Sequence, residues 1–356
     1  MIKSRRFRTI LFSSLLSAVL CLPLSSQTID EKAEQAFYTA KGMFNDQLYD
    51  LAADQFRDFL RRYPKSSYAE EAHFLAGECY FQKQDYSRAV AAYRELLTNY
   101  PAIGLRDKAA FRIGEALVNA GNYDEARLAL EQFLAQYPTS SLRPNGRYWL
   151  GEAAYRSGDN AAALKNYAAV VQNDPQGPLA AFAFYSIAYI QEETGKWNEA
   201  MLAYKKIIVQ HPDSPLAAQA SFRIGFTLYG IGEYSEAIEK LARAINDYPD
   251  NSLRSEAQFF IGESFFRKGD YKKAVAAYTS VVSLQDAEYR DDAQHSLGWS
   301  YSEMDQYSQA AAAFMQVPNL TSNNQLAASS YFQAGRNYML VNETNNAAAA
   351  YQQVIN

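Results

Sequence analysis

Three histidines, two cysteines and a recurring set of glutamates are the chemically versatile side chains of this 356-residue chain. A metal site needs several ligands converging on one point. His73, His211 and His295 lie far apart in the sequence, which argues against one. Cys79 stands two residues after Gly77 in a helical pattern, where a small buried side chain fits better than a reactive thiol. Glu115 and Glu152 could pair for general acid–base work. They are copies of one repeated position on an open surface, however, without a cavity to desolvate either. They are therefore expected as solvated or ligand-contacting acids. The glycines are mostly used by the repeat described next, so no loop remains to cradle a phosphate. The chain reads as a non-enzyme with no metal and no cofactor.

The elements that position these residues repeat. Pro64, Pro101, Pro138, Pro175, Pro212 and Pro249 follow one another at intervals of 37 residues. Fifteen residues before each stands a marker, and the series runs Tyr49, Tyr86, Tyr123, Asn160, Trp197, Tyr234, Tyr271, Tyr307, Thr344, with one slip to 36 before Tyr307. Three residues after every marker is an alanine, from Ala52 to Ala347; seven after is a large residue, among them Phe56, Tyr93, Leu130, Tyr167 and Tyr204. These offsets keep one helical face, so the second half of each repeat is an amphipathic helix B. Nine residues before the marker is a small residue: Ala40, Gly77, Gly114, Gly151, Ala188, Gly225, Gly262, Gly298, Gly335. Glycine inside a helix costs about 1 kcal/mol. Its recurrence predicts a helix A that is approached too closely for a side chain. A second set, Gly121, Gly158, Gly195, Gly232 and Gly269, falls two residues before the marker, where positive φ ends helix A ahead of a tight turn. Neither helix has a second layer of its own, so stability must come from stacked neighbours.

This pattern resembles the tetratricopeptide repeat, whose signature is W-x2-L-G-x2-Y…A-x3-F…P. Repeat two reads Gly77-x2-Tyr80…Ala89-x3-Tyr93…Pro101, with Ala76 in the leucine slot and His73 in that of the tryptophan. Repeat eight supplies the leucine in Leu297-Gly298-x2-Tyr301…Ala310-x3-Phe314. The resemblance implies an all-α, right-handed solenoid of about nine helix-turn-helix units over residues 27–356. The long period, the Tyr-Pro endings and the Gly-Glu pairs are similar to the bacterial cell-envelope branch, which includes the periplasmic tol-pal coordinator family and the repeat lipoproteins of outer-membrane assembly. No heptad region precedes the repeats, and nine units exceed either relative.

In such arrays the A helices line the concave surface. The resemblance carries ligand-facing positions onto an aromatic ladder: Phe74, Phe111, Tyr148, Tyr185, Phe222 and Phe259 three residues before the small residue, Tyr155 and Tyr229 four after it, and Tyr189 and Phe226 one after it. Glu78, Glu115, Glu152 and Glu263 are interleaved. Some of these aromatics can equally pack against the neighbouring helix B. As a groove, the ladder implies capture of an extended or helical segment of an envelope protein, with the acids selecting basic residues. The alternatives are a permanent structural part of an outer-membrane or secretion complex, and the recruiting arm of a longer enzyme.

Residues 1–26 read as a secretory signal: Lys3, Arg5, Arg6 and Arg8, an apolar stretch from Ile10 to Leu24, then Ser25 and Ser26 ahead of the cleavage point. An uncleaved anchor is the second reading, although the apolar run is short for a bilayer. Lipidation at Cys21 is the third, with Leu20 departing from the small residue that motif wants. Cleavage takes the formal charge from −5 to −9 and leaves Cys79 as the sole thiol, so no intrachain disulfide forms. An acidic chain without a basic block argues against nucleic acid. The expectation is a periplasmic or exported scaffold, with membrane contact only by association or a lipid anchor. The sequence stops inside helix B of repeat nine without a polar capping helix. That leads us to expect further chain, a dimer contact at that end, or fraying of repeat nine.

Overall fold

The computed structural model describes residues 28–100, 104–284 and 288–355. The signal expected at 1–26, with Cys21, lies outside them. The described residues form 18 α-helices stacked in pairs, about nine tetratricopeptide-like units, and no strand. Among them no helix is long and apolar enough to cross a membrane. Two compact units divide the chain between Leu105 and Arg106.

The first holds α1 (Ile29–Asn45), α2 (Tyr49–Arg62), α3 (Ala69–Gln82) and α4 (Tyr86–Asn99). The second begins with α5 (Arg106–Asn119), α6 (Tyr123–Gln136), α7 (Arg143–Arg156), α8 (Asn160–Asn173), α9 (Ala180–Glu193) and α10 (Trp197–Gln210). It continues through α11 (Leu216–Gly230), α12 (Tyr234–Asp247), α13 (Arg254–Arg267), α14 (Tyr271–Val282), α15 (Arg290–Ser302), α16 (Tyr307–Gln316), α17 (Asn324–Leu340) and α18 (Thr344–Ile355). Odd numbers are A helices and even numbers B helices. Within each compact unit every helix packs on the next, and consecutive A helices also meet: α1 with α3, then α5 with α7, α9 with α11, α11 with α13 and α13 with α15. Among the described residues no consecutive B helices meet to that extent.

The periodic positions do what their spacing demands. All nine alanines of helix B are buried, and the large residue four further on is fully buried from Phe56 to Phe314. Fully burying such a side chain contributes about 1.5–3 kcal/mol. The recurrent glycine of helix A has a specific partner. A Cβ on Gly151 would lie 2.6 Å from the Tyr167 ring, and one on Gly114 would lie 2.4 Å from Leu130. Thus the close approach predicted between helices is that of a B-helix side chain nesting on the A-helix backbone. Every A-to-B turn carries one left-handed residue. Five are the expected glycines, at φ from +74 to +87°; the other four are Gln47, Gln84, Asp305 and Asn342, at +57 to +64°. Register, and not residue type, places those four.

Candidate functional site

The interleaved acids were expected to face solvent or a ligand. Three of the four, Glu78, Glu152 and Glu263, are instead taken up by buried phenols. Tyr93 donates its hydroxyl to Glu78, Tyr167 to Glu152 at 2.6 Å and Tyr278 to Glu263 at 2.6 Å. The reason is local: an apolar B-helix ring can be buried on the glycine, but a buried hydroxyl must find an acceptor. Repeat five keeps Tyr204 yet has Tyr189 where the glutamate belongs. Glu192, one turn on, accepts from Tyr204 at 3.0 Å instead. Where the B-helix residue has no hydroxyl, the acid is paired otherwise or missing. Glu115 takes Arg112 at 2.6 Å beside Leu130, while Phe226 and Trp299 accompany Leu241 and Phe314.

The ten aromatic positions divide. Phe111, Phe222 and Phe259 are core residues, 5%, 0% and 9% exposed, and present no surface to a ligand. Phe111 packs on Phe133 at 5.9 Å between ring centres, and Phe259 stacks on Tyr289 at 5.0 Å. The ladder expected from the resemblance therefore loses these three, because one turn before the glycine a ring packs directly on helix B. Phe74 is half-buried against Tyr93 in the first compact unit. In the second, Tyr148 lies 5.5 Å from Tyr167, and burial, then Glu152, pushes its phenol up to about 12. Phe226 and Tyr229 gather around Phe260, at 5.4 and 4.9 Å.

Tyr155, Tyr185 and Tyr189 are brought together. With Tyr123, Glu152, Arg156 and Ser186 they line an open pocket of about 500 Å³ between α7 and α9, A helices that do not close on each other as their neighbours do. The Tyr155 and Tyr189 rings meet edge to face at 6.1 Å. Tyr155 donates to Glu193 at 3.1 Å, and burial followed by that carboxylate pushes its phenol up to about 12. Burial raises the Tyr185 phenol as well, so Tyr155 and Tyr185 stay protonated near neutral pH and the pocket offers ring faces and hydroxyls with carboxylates behind them.

A neighbouring hub was missed at the sequence level. Glu192 accepts not only from Tyr204 but from Arg223 at 2.8 Å and Thr227 at 3.0 Å, both on α11. The Arg223 guanidinium lies 5.9 Å from the Tyr189 ring centre. The available signal was the retained Tyr204 opposite a lost glutamate, which requires another acceptor nearby.

The histidines pack. His211 takes the place of tyrosines such as Tyr100 and, since a carbonyl only accepts, its Nε2 donates to the Pro175 carbonyl at 3.0 Å; Tyr100 makes the same link to Pro64 at 3.4 Å. His295 accepts from the Trp299 indole at 2.9 Å through Nε2, so Nδ1 carries the hydrogen toward Ser330 at 2.8 Å. Burial lowers its pKa, as it does that of His73, where Glu95 acts in the other direction. Cys79 is fully buried, and burial, then Glu78, pushes its thiol up to about 12, away from nucleophilic chemistry. Among the described residues no three His, Cys, Asp or Glu side chains gather where they could hold a metal ion.

Comparison with known proteins agrees with this architecture. A family model described as tetratricopeptide repeat matches residues 44–102, 111–178, 154–215, 185–252 and 222–293, and a second of the same description matches 292–320. No catalytic domain is identified. The chain is similar to the C-terminal part of a repeat-containing protein of Cytophaga hutchinsonii, at 16% identity and TM-score 0.60, covering 72% of this chain and 98% of that one. It is similar also to the apo form of RapI, at 12% identity and TM-score 0.55, covering 80% and 96%. A repeat protein of Parabacteroides merdae gives 15% identity and TM-score 0.48, covering 74% and 98%. No curated protein matches significantly.

Proposed function

Because the chain belongs to the tetratricopeptide repeat family, we propose that it is a scaffold that holds a segment of a partner protein on its A helices, without turnover. The observation that carries this reading is the pocket between α7 and α9. It opens where two A helices are apart, and its walls are the rings of Tyr155, Tyr185 and Tyr189. Rings of this kind suit an apolar or cationic side chain, since the phenol face attracts a lysine or arginine within about 6 Å. Glu152 and Glu193 add negative charge behind the rings, although their lone pairs are partly engaged and Arg156, 3.6 Å from Glu152, offsets part of it. The bound segment is thus basic, extended or helical, and anchored by one side chain in the pocket.

The signal-like character of residues 1–26 supports a place in the cell envelope, as does the similarity of the repeat to envelope relatives. N-terminal sequencing of the protein recovered from an envelope fraction tests that part: a chain beginning at Gln27 supports it, and an intact cytosolic chain refutes it. A photo-crosslinking residue at position 155 or 189 tests the site. Tyr155→Ala/Tyr189→Ala is expected to abolish capture of the partner with helicity unchanged. Undiminished capture sinks the reading.

A further inference from the structure

A second concavity lies away from the A-helix pocket. Between α10 and α12 runs an open trough of about 550 Å³, floored by Ser221 and Ile224 of α11. One wall is α10, with Met201, Leu202, Ile208 and Val209; Leu202 and Val209 are 61% and 67% exposed. The facing wall is α12, where Lys240, Arg243 and Asp247 follow at helical spacing.

The repeat supplies its own control. The residues equivalent to Val209 in the other described repeats with that position are Arg61, Thr98, Ala135, Gln172, Asn246, Ser283 and Asn319. The equivalents of Leu202 include Asp54, Lys165 and Glu239, and only repeat three repeats the leucine, as Leu128, without a valine at Ala135. Stacking therefore does not require leucine or valine at these positions. The corresponding trough between α2 and α4 is lined by Arg57, Arg61 and Glu95. Seven residues separate Leu202 from Val209, two helical turns, so both project from one face of α10. Paired exposed apolar residues on one face of a trough mark an interaction surface.

Charge selects the partner. In a chain of net charge −5, this trough holds Lys205, Lys240 and Arg243 against a single carboxylate, Asp247. Lys240 bridges Glu239 at 2.9 Å and Arg243 bridges Asp247 at 3.3 Å. Both are surface pairs, which are worth little and exchange readily. Backbone conformation selects as well. A helix arrives with its own peptide groups paired and needs none from the trough, whose helix-side walls offer no free backbone donors or acceptors.

We propose that this trough docks an acidic amphipathic helix of a partner protein, its apolar stripe on Leu202, Val209 and Ile224 and its carboxylates on Lys205, Lys240 and Arg243. At 14 residues, α10 is about 21 Å long, which matches a partner of about four turns.

The test uses the full chain and a fluorescein-labelled helical peptide of about 16 residues, with leucines along one face and glutamates on both flanks. Its counterpart carries lysine for every glutamate. Anisotropy should show the acidic peptide binding at least about tenfold tighter than the basic one, with salt weakening it. Leu202→Asp and Val209→Asp, both at exposed positions, should each weaken it about tenfold, equivalent to about 1.4 kcal/mol. Lys205→Glu/Lys240→Glu should reverse the preference between peptides. Tyr155→Ala/Tyr189→Ala should leave binding unchanged, which separates this surface from the A-helix pocket. Absence of binding, equal binding of both peptides, or indifference to Leu202→Asp and Val209→Asp overturns the proposal. So does a dimer of the chain alone that Leu202→Asp disperses, which assigns the trough to a second copy.

Discussion

Tyr167 and Glu152 stand fifteen residues apart on adjacent helices and are joined by a 2.6 Å hydrogen bond, with the Tyr167 ring on the bare backbone of Gly151. Burial and the adjacent carboxylate raise the Tyr167 phenol far above its ordinary range, so it remains a donor at any physiological pH. Removing one partner of such a bond leaves the other unsatisfied at a cost of about 1–3 kcal/mol, whereas removing both can be nearly neutral. Glu152 keeps Arg156 at 3.6 Å, so Tyr167→Phe should lower stability by the lower part of that range, about 1 kcal/mol. Tyr167→Phe/Glu152→Leu should recover most of the loss, as the apolar pair of Phe314 and Trp299 already does in repeat eight. Denaturation midpoints for the two variants decide; a double variant less stable than the single one refutes the account.

The four non-glycine turns carry a conformational cost. An L-residue in the left-handed region loses about 1–2 kcal/mol to the contact between its Cβ and the carbonyl. Glycine removes that cost but loses more entropy on folding. Gln84→Gly, at φ +60°, should gain about 0.5–1 kcal/mol net. Gly158→Ala, at φ +87° with open space around its Cβ, should lose about 1–2 kcal/mol from the backbone alone. Thermal midpoints moving in the same direction for both would falsify this.

The helices, their pairing and their turns were legible because each rests on short-range periodicity, and one repeat corroborates the next. The site was less legible for a physical reason. A slot such as Glu152 is defined by its own helix, while its role is fixed by the residue that packs there from helix B. The co-occurrence of Glu78 with Tyr93, Glu152 with Tyr167 and Glu263 with Tyr278 carried that information. It becomes interpretable only once the glycine is known to seat the ring. Burial of Phe111, Phe222 and Phe259 follows from the same contact, one turn earlier. The exposure of Leu202 and Val209 follows from the helix-B period, since Lys165, Glu239, Gln172 and Asn246 at the equivalent positions of the flanking repeats are exposed too; what departs from the period is only their apolar type.

His295 makes stability depend on pH. Burial lowers its folded-state pKa below the ordinary value near 6.5, so the unfolded chain binds the proton first. Stability is then full above the unfolded pKa and falls as pH drops below it, until the folded pKa is reached. The neighbours of His295 do not oppose this: Ser330, Trp299 and Phe314 are uncharged, and its Nε2 is already occupied by the indole. His295→Phe restores the ring type that most repeats carry at this position. It should flatten the decline in thermal midpoint between about pH 7 and 5, leaving the contribution of His73. An equally steep decline in the variant would exclude His295 as its source.

Glu192 and Arg223 should respond unequally to removal. When Arg223 is replaced by methionine, Glu192 still accepts from Tyr204 and Thr227, so its charge retains two donors. When Glu192 is replaced by leucine, the guanidinium keeps its charge in a half-buried site where its Nε already lacks a partner, and the Tyr204 hydroxyl loses its acceptor. Breaking a fully buried pair from one side costs about 3–5 kcal/mol, and the partial exposure of this one reduces that to about 2 kcal/mol. Glu192→Leu should thus destabilise more than Arg223→Met. Hydrogen exchange should also rise in both α9 and α11, because the hub ties repeat five to repeat six. Arg223→Lys keeps the charge but lacks the planar fork, and should fall between wild type and Arg223→Met. If Arg223→Met is the more damaging change, the guanidinium itself holds the two repeats together, and Glu192 serves only as its counterion.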